Sequence, residues 1–152
     1  MVVIKLRVVN YAPKKELVIF IPKLRKIYRF TPIQEKDIAE IVKYIKYELE
    51  QNQGDIKIRT VKCNFEHAVE VARIIITYKC NLMCKHCYQR AGPMRREIIT
   101  IDDYRKILKQ LCEVGVLELW IEGGEIFATR DGMKYLTIAD DFGFGIVLGT
   151  NA

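Results

Sequence analysis

The sequence predicts an α/β chain in two parts: a small α+β lobe over residues 1–66, then a segment over residues 67–152 built on a parallel sheet. Three observations lead there. From Ala72 onward, apolar runs of strand length alternate with amphipathic runs of helix length, and such alternation gives a parallel sheet with right-handed crossovers. Before Ala72 the chain reads as β-rich runs, one long amphipathic helix and a further strand. Half of the 152 residues are hydrophobic and 29% are charged, enough to bury a core and too apolar for a disordered chain.

Residues 2–9 are β-rich with partial alternation, residues 10–15 with Pro13 read as a turn, and residues 16–21 form a second strand, so a hairpin is expected. A third strand is assigned to residues 23–30 on looser alternation. Thr31-Pro32-Ile33-Gln34 then carries a helix start, with Thr31 as N-cap, Pro32 at the first helical position and Gln34 completing a capping box. Ile38, Ile41, Val42, Ile45 and Leu49 keep the helical period until Asn52-Gln53-Gly54. Residues 55–63 return to strand, and residues 64–70 link the lobe to the second part.

In the second part, strands are expected at 72–76, 116–121 and 145–148. Thr100 caps the first helix, Asp102 and Asp103 favour its dipole, and Ile101, Tyr104, Ile107, Leu108 and Leu111 line one face up to Gly115. Residues 131–141 form the second helix, closed by Gly143. In a parallel sheet the loops after the strands leave on one edge, so residues 80–87, Gly123-Gly124-Glu125 and Thr150-Asn151 should converge there.

Three of the five cysteines, Cys80, Cys84 and Cys87, fall in the first of these loops with the spacing C-x3-C-x2-C. Three sulfurs on so short a loop imply a metal, because disulfide pairing would leave one over and strain the bridge between near neighbours. A structural zinc site closes with four protein ligands, and His86 would have to be the fourth. An iron–sulfur cube held by three thiolates leaves one iron open to a small molecule. A c-type haem site needs Cys-x-x-Cys-His, and Tyr88 follows Cys87. A redox pair of Cys84 with Cys87 leaves Cys80 unexplained. Cys63 and Cys112 read as buried small hydrophobes and His67 as a surface residue. Gly123-Gly124 opens the backbone to a close ligand, and Glu125 adds a carboxylate for an ammonium group; an ordinary turn reads the same way until a three-cysteine loop stands beside it.

The run Cys-Asn-Leu-Met-Cys-Lys-His-Cys-Tyr resembles the signature of the radical S-adenosylmethionine superfamily, with His86 in its aromatic position, and the likeness extends over about residues 73–152. The resemblance implies a partial (β/α) barrel with three parallel βα units where the family core usually has about six. It implies a 4Fe-4S cluster on Cys80, Cys84 and Cys87, and S-adenosylmethionine held at Gly123, Gly124 and Glu125, with His86 near the adenine and Thr150 and Asn151 near the ligand. The implied chemistry is reductive cleavage of that cofactor to a 5′-deoxyadenosyl radical, which takes hydrogen from a substrate. Ile126 stands where the family's Gly-Gly-Glu-Pro segment usually has proline, so the backbone leaving the turn is less fixed.

The net charge of +6 and pI near 9.1 are partly local: Lys79, Lys85, Arg90, Arg95 and Arg96 occur within residues 79–96 with no acidic residue among them. This stretch reads as a solvated surface, as a balance for an anionic cluster loop, or as a receiver for an anionic substrate such as RNA or a carboxylate. The substrate class stays open among peptide, small molecule and RNA. No apolar run approaches the roughly 20 residues that cross a bilayer, and the start lacks a signal peptide's plan, so a cytoplasmic protein without membrane contact is expected. The strand at 145–148 is expected to be an apolar edge that a second copy or a partner subunit covers. A non-catalytic metal- or partner-binding module and a zinc-containing RNA-associated protein are the competing functions.

Overall fold

The structure, a computed structural model, describes residues 4–11, 16–21, 26–30, 35–53, 56–63, 69–96 and 98–151. Two sheets organise it. The first has the order β3-β2-β1-β4, from β1 (Ile4–Tyr11), β2 (Glu16–Ile21), β3 (Lys26–Phe30) and β4 (Ile56–Cys63), with α1 (Glu35–Gln53) between the last two. The expected hairpin is present, β1 pairing antiparallel to β2 from Arg7↔Phe20 to Tyr11↔Glu16. β4 then returns beside β1 in parallel, a pairing that local periodicity does not reveal. The capping box at Thr31–Gln34, His67 and the Cys63 side chain lie outside the described residues.

The second sheet is parallel, in the order β5 (Val71–Ile75), β6 (Glu118–Glu122), β7 (Gly145–Leu148), with α2 (Ile101–Glu113) and α3 (Gly132–Asp141) as its crossovers. This is the expected three-strand parallel unit of a partial barrel. The ladder sets strand ends slightly differently from the apolar runs. Val116 and Leu117 are buried but precede β6, since Leu117 N and Glu118 N both donate to Glu70 O at 2.8 and 3.0 Å. Glu122 joins the strand because its carbonyl accepts Ile76 N at 2.9 Å.

Side-chain parity divides this sheet into two faces. Ile74, Leu119 and Ile121 pack beneath Tyr104, Leu108 and Cys112 of α2 and Tyr135, Ile138 and Ala139 of α3. Tyr104 and Tyr135 meet edge to face, centroids 5.1 Å apart at 70°. Cys112 is thus a buried hydrophobe, as expected. The opposite face carries Arg73, Glu118, Trp120 and Glu122: Arg73 lies 5.5 Å over the Trp120 ring and 3.3 Å from a Glu122 oxygen. Phe20 of β2 reaches the second sheet at Gly145, where an added Cβ would stand 2.7 Å from its ring.

Thr100 caps α2 as its sequence position predicts, its Oγ1 accepting Asp103 N at 3.1 Å and donating to the Asp103 carboxylate at 2.8 Å. Thr100→Ala should lower stability by about 1 kcal/mol in urea denaturation, the usual worth of such a cap.

Candidate metal centre

The cysteine loop is closed at its base by backbone. Cys80 N donates to Gly92 O and Gly92 N to Tyr78 O, both at 3.1 Å, so residues 80–92 form one loop at the C-terminal end of β5. Within it Cys87 N donates to Cys84 O at 3.1 Å, which turns the chain between the second and third thiols. All three cysteines are free thiols: Cys80 is buried, Cys87 half-buried and Cys84 exposed. The Cys80 sulfur accepts Leu82 N at 3.4 Å and Asn151 Nδ2 at 3.5 Å.

The loop after β6 lies directly on the cysteine loop. Gly124 N donates to Thr77 O at 2.7 Å and Glu125 N to Lys79 O at 2.8 Å. The glycines serve this contact, because a Cβ on Gly124 would sit 2.2 Å from Lys79 O and 3.0 Å from Cys80 Cβ. The volume their missing side chains free on that side is therefore filled by the chain's own backbone, while Gly123 and Gly124 also line an adjacent open cleft.

Glu125 departs most from the expected picture of a carboxylate facing an ammonium group. It is only 3% exposed, and both its oxygens are engaged within the chain. Oε1 accepts Phe127 N at 3.0 Å, and Oε2 accepts Thr150 Oγ1 and Asn151 N, each at 2.8 Å. Burial pushes this carboxyl up, but the three hydrogen bonds outweigh that and hold it below its ordinary value. Ile126, in the place of the proline, is buried and opens a 3₁₀ turn that Glu125 caps.

A depressed carboxyl contributes stability above its unfolded value, about pH 4.3, and loses it as pH falls through the lower folded value. Glu125→Gln should cost about 1–3 kcal/mol at neutral pH, since an amide cannot accept all three donors. The gap between parent and variant in chemical denaturation should narrow as the pH falls below about 4.3.

The adjacent cleft, of about 330 Å³, is lined by Cys87, Tyr88, Gln89, Glu122, Gly123, Gly124, Gly149, Thr150 and Asn151. The three loops expected to converge do so. His86 stands exposed on the loop, outside this lining. Tyr88, Gln89, Glu122 and Gly149 were not singled out by sequence. Glu122 shares the strand parity of Trp120, opposite the core, and that was the available signal. It receives Tyr88 Oη at 2.9 Å as well as Arg73, so it ties the end of the cysteine loop to β5 and β6. Of the basic stretch, Arg95 lies 5.0 Å over the Tyr78 ring and donates to Arg90 O at 3.3 Å, which makes it part of the loop's framework.

Three unbridged thiols lie on one backbone-closed loop with a glycine-bounded cleft beside them, the ligand types an iron–sulfur centre uses, although among the described residues no three His, Cys, Asp or Glu side chains are gathered closely enough to hold a single metal ion. The radical SAM superfamily profile matches residues 74–152, and the chain belongs to that superfamily. It is similar to the antilisterial bacteriocin subtilosin biosynthesis protein AlbA of Bacillus subtilis (strain 168), 40% identical over 61 residues, covering 40% of this chain and 14% of AlbA. It is also similar to the PqqA peptide cyclase of Bradyrhizobium diazoefficiens, 34% identical over 82 residues, covering 51% of this chain and 20% of the cyclase. In fold it resembles Streptococcus suis SuiB, solved bound to the precursor peptide SuiA, with a TM-score of 0.57 and 15% identity over 98% of this chain and 41% of SuiB. The chain thus spans a fifth or less of the two curated relatives. Among the described residues, no helix is long and apolar enough to cross a membrane.

Proposed function

We propose that Cys80, Cys84 and Cys87 ligate a 4Fe-4S cluster, that the neighbouring cleft receives S-adenosylmethionine, and that the substrate is a peptide. The seating of the Gly-Gly-Glu loop on the cysteine loop, through Gly124 N to Thr77 O and Glu125 N to Lys79 O, carries this reading. It puts a glycine-walled cleft against the third thiol. When bound, the cluster and the sulfonium supply one-electron cleavage to a 5′-deoxyadenosyl radical.

The chain's own residues supply position. Gly123 and Gly124 line the cleft without side chains, so a ligand can come close to the backbone there. Glu125 acts through Thr150 and Asn151, holding the end of β7 against the cleft. Tyr88, bonded to Glu122, closes its other wall. A peptide is favoured over RNA or a small molecule by the relatives named as a peptide cyclase and a bacteriocin biosynthesis protein, and by the fold likeness to a protein bound to a precursor peptide. In the same reading residues 1–66 form an accessory recognition lobe, a second copy or a partner subunit covers the outer edge of β7, and the unbridged thiols support a cytoplasmic location.

Anaerobic reconstitution with iron and sulfide tests the centre. The expected product is brown, and its reduced electron paramagnetic resonance (EPR) spectrum changes when S-adenosylmethionine is added. A colourless protein that retains zinc would overturn the assignment.

A further inference from the structure

We infer that Asn151 is a positioning residue that sets how easily the metal centre is reduced: its side-chain amide donates to the Cys80 sulfur, and Glu125 holds it there. The inference rests on the proposed function. Its geometry is a relay from one buried carboxylate to one buried sulfur. Glu125 Oε2 accepts Asn151 N at 2.8 Å, which fixes the backbone just beyond β7. The Asn151 amide then divides its two hydrogens, one to Asn81 Oδ1 at 3.1 Å and one to Cys80 Sγ at 3.5 Å. Both acceptors belong to the cysteine loop, so residue 151, at the end of the third strand, reaches back to the first thiol across 71 positions of sequence.

The three sulfurs are not equivalent in this respect. Among the described residues, side-chain and backbone N–H donors reach the Cys80 sulfur, from Asn151 and Leu82, while Cys84 is exposed to solvent. Reduction of a thiolate-bound cluster adds one negative charge without making or breaking a bond, and part of that charge falls on the sulfurs. An N–H donor to sulfur stabilises the more negative form and so raises the potential. Burial of Cys80 strengthens the effect, because little water is present to replace the amide. Glu125 need not touch the cofactor to matter, since through Asn151 it governs a sulfur of the centre.

The test uses the full chain, reconstituted with iron and sulfide and titrated with dithionite and mediators, with the reduced cluster read by EPR. Asn151→Leu removes the donor, and Asn151→Asp replaces it by an acceptor of the same shape. Both keep the backbone N–H that Glu125 accepts. At a fixed poise the ratio of reduced to oxidised cluster should fall about tenfold in Asn151→Leu, about 59 mV for a one-electron couple, and further in Asn151→Asp. A merely structural role would lower iron content and leave the potential of the retained cluster unmoved. Potentials equal to the parent's at full iron loading would overturn the inference.

Should both variants lose iron, the parent decides. With ¹⁵N in its asparagine side-chain amides, the reduced cluster should show a ¹⁵N coupling in pulsed EPR, and its absence would overturn the assignment. A parent that takes up no cluster overturns the proposed function together with this inference, whereas a loaded parent with unshifted variants overturns the inference alone.

Discussion

Cys84→Ala should leave the chain folded and strip it of iron. The Cys84 side chain is exposed and takes no part in the core, and the backbone bond from Cys87 N to Cys84 O at 3.1 Å does not depend on the thiol. The change in unfolding free energy should therefore stay within about 0.5 kcal/mol, as for most surface substitutions. Iron should fall to background, because two remaining thiolates cannot hold three corners of a cube. Two companion variants separate binding from folding. Cys112→Ala, in the core between α2 and the sheet, should lose stability and keep its iron. Cys80→Ala should lose iron, and it also removes the sulfur that Leu82 N and Asn151 Nδ2 donate to. Parental iron in Cys84→Ala, measured with parental folding, would remove Cys84 from the ligand set.

The features legible in the sequence are those written over short distances. The spacing of Cys80, Cys84 and Cys87, the cap at Thr100 and the alternation that makes β5, β6 and β7 parallel all depend on local runs of residues. Convergence of the three loops came from the parallel arrangement and its handedness alone. The illegible features are choices of partner. Glu125 could face a ligand or its own chain, and the local sequence is the same either way. Its acceptance of Thr150 and Asn151 is decided by a strand end 25 and 26 residues further on. The return of β4 beside β1, and Phe20 meeting Gly145, are likewise settled by distant contacts that leave no periodicity. Glycines illustrate the same limit: Gly-Gly announces a close approach, but the approaching group proved to be the backbone of residues 77–79 as well as the cleft.

That packing gives the second large effect, since Gly124→Ala should cost both the fold and the iron. The added Cβ would meet Lys79 O at 2.2 Å, Lys79 C at 2.6 Å and Cys80 Cβ at 3.0 Å. Two of these are backbone atoms, so no rotamer change relieves them. The cysteine loop can retreat only by breaking the bonds that hold it, Gly124 N to Thr77 O at 2.7 Å and Glu125 N to Lys79 O at 2.8 Å. Overpacking of this kind costs about 1–3 kcal/mol, and two weakened hydrogen bonds add about 1 kcal/mol each, so a loss of about 3–5 kcal/mol is expected. Because the displaced atoms include Cys80, iron uptake should fall even where the variant folds. Gly143→Ala makes the contrast: nothing lies within 4 Å of its added Cβ, and the strain comes only from φ +79° at the end of α3. It should cost about 1–2 kcal/mol and leave iron untouched. If Gly124→Ala matched the parent in both urea midpoint and iron content, the two loops could not be packed as described, and the cleft between them would lose its wall.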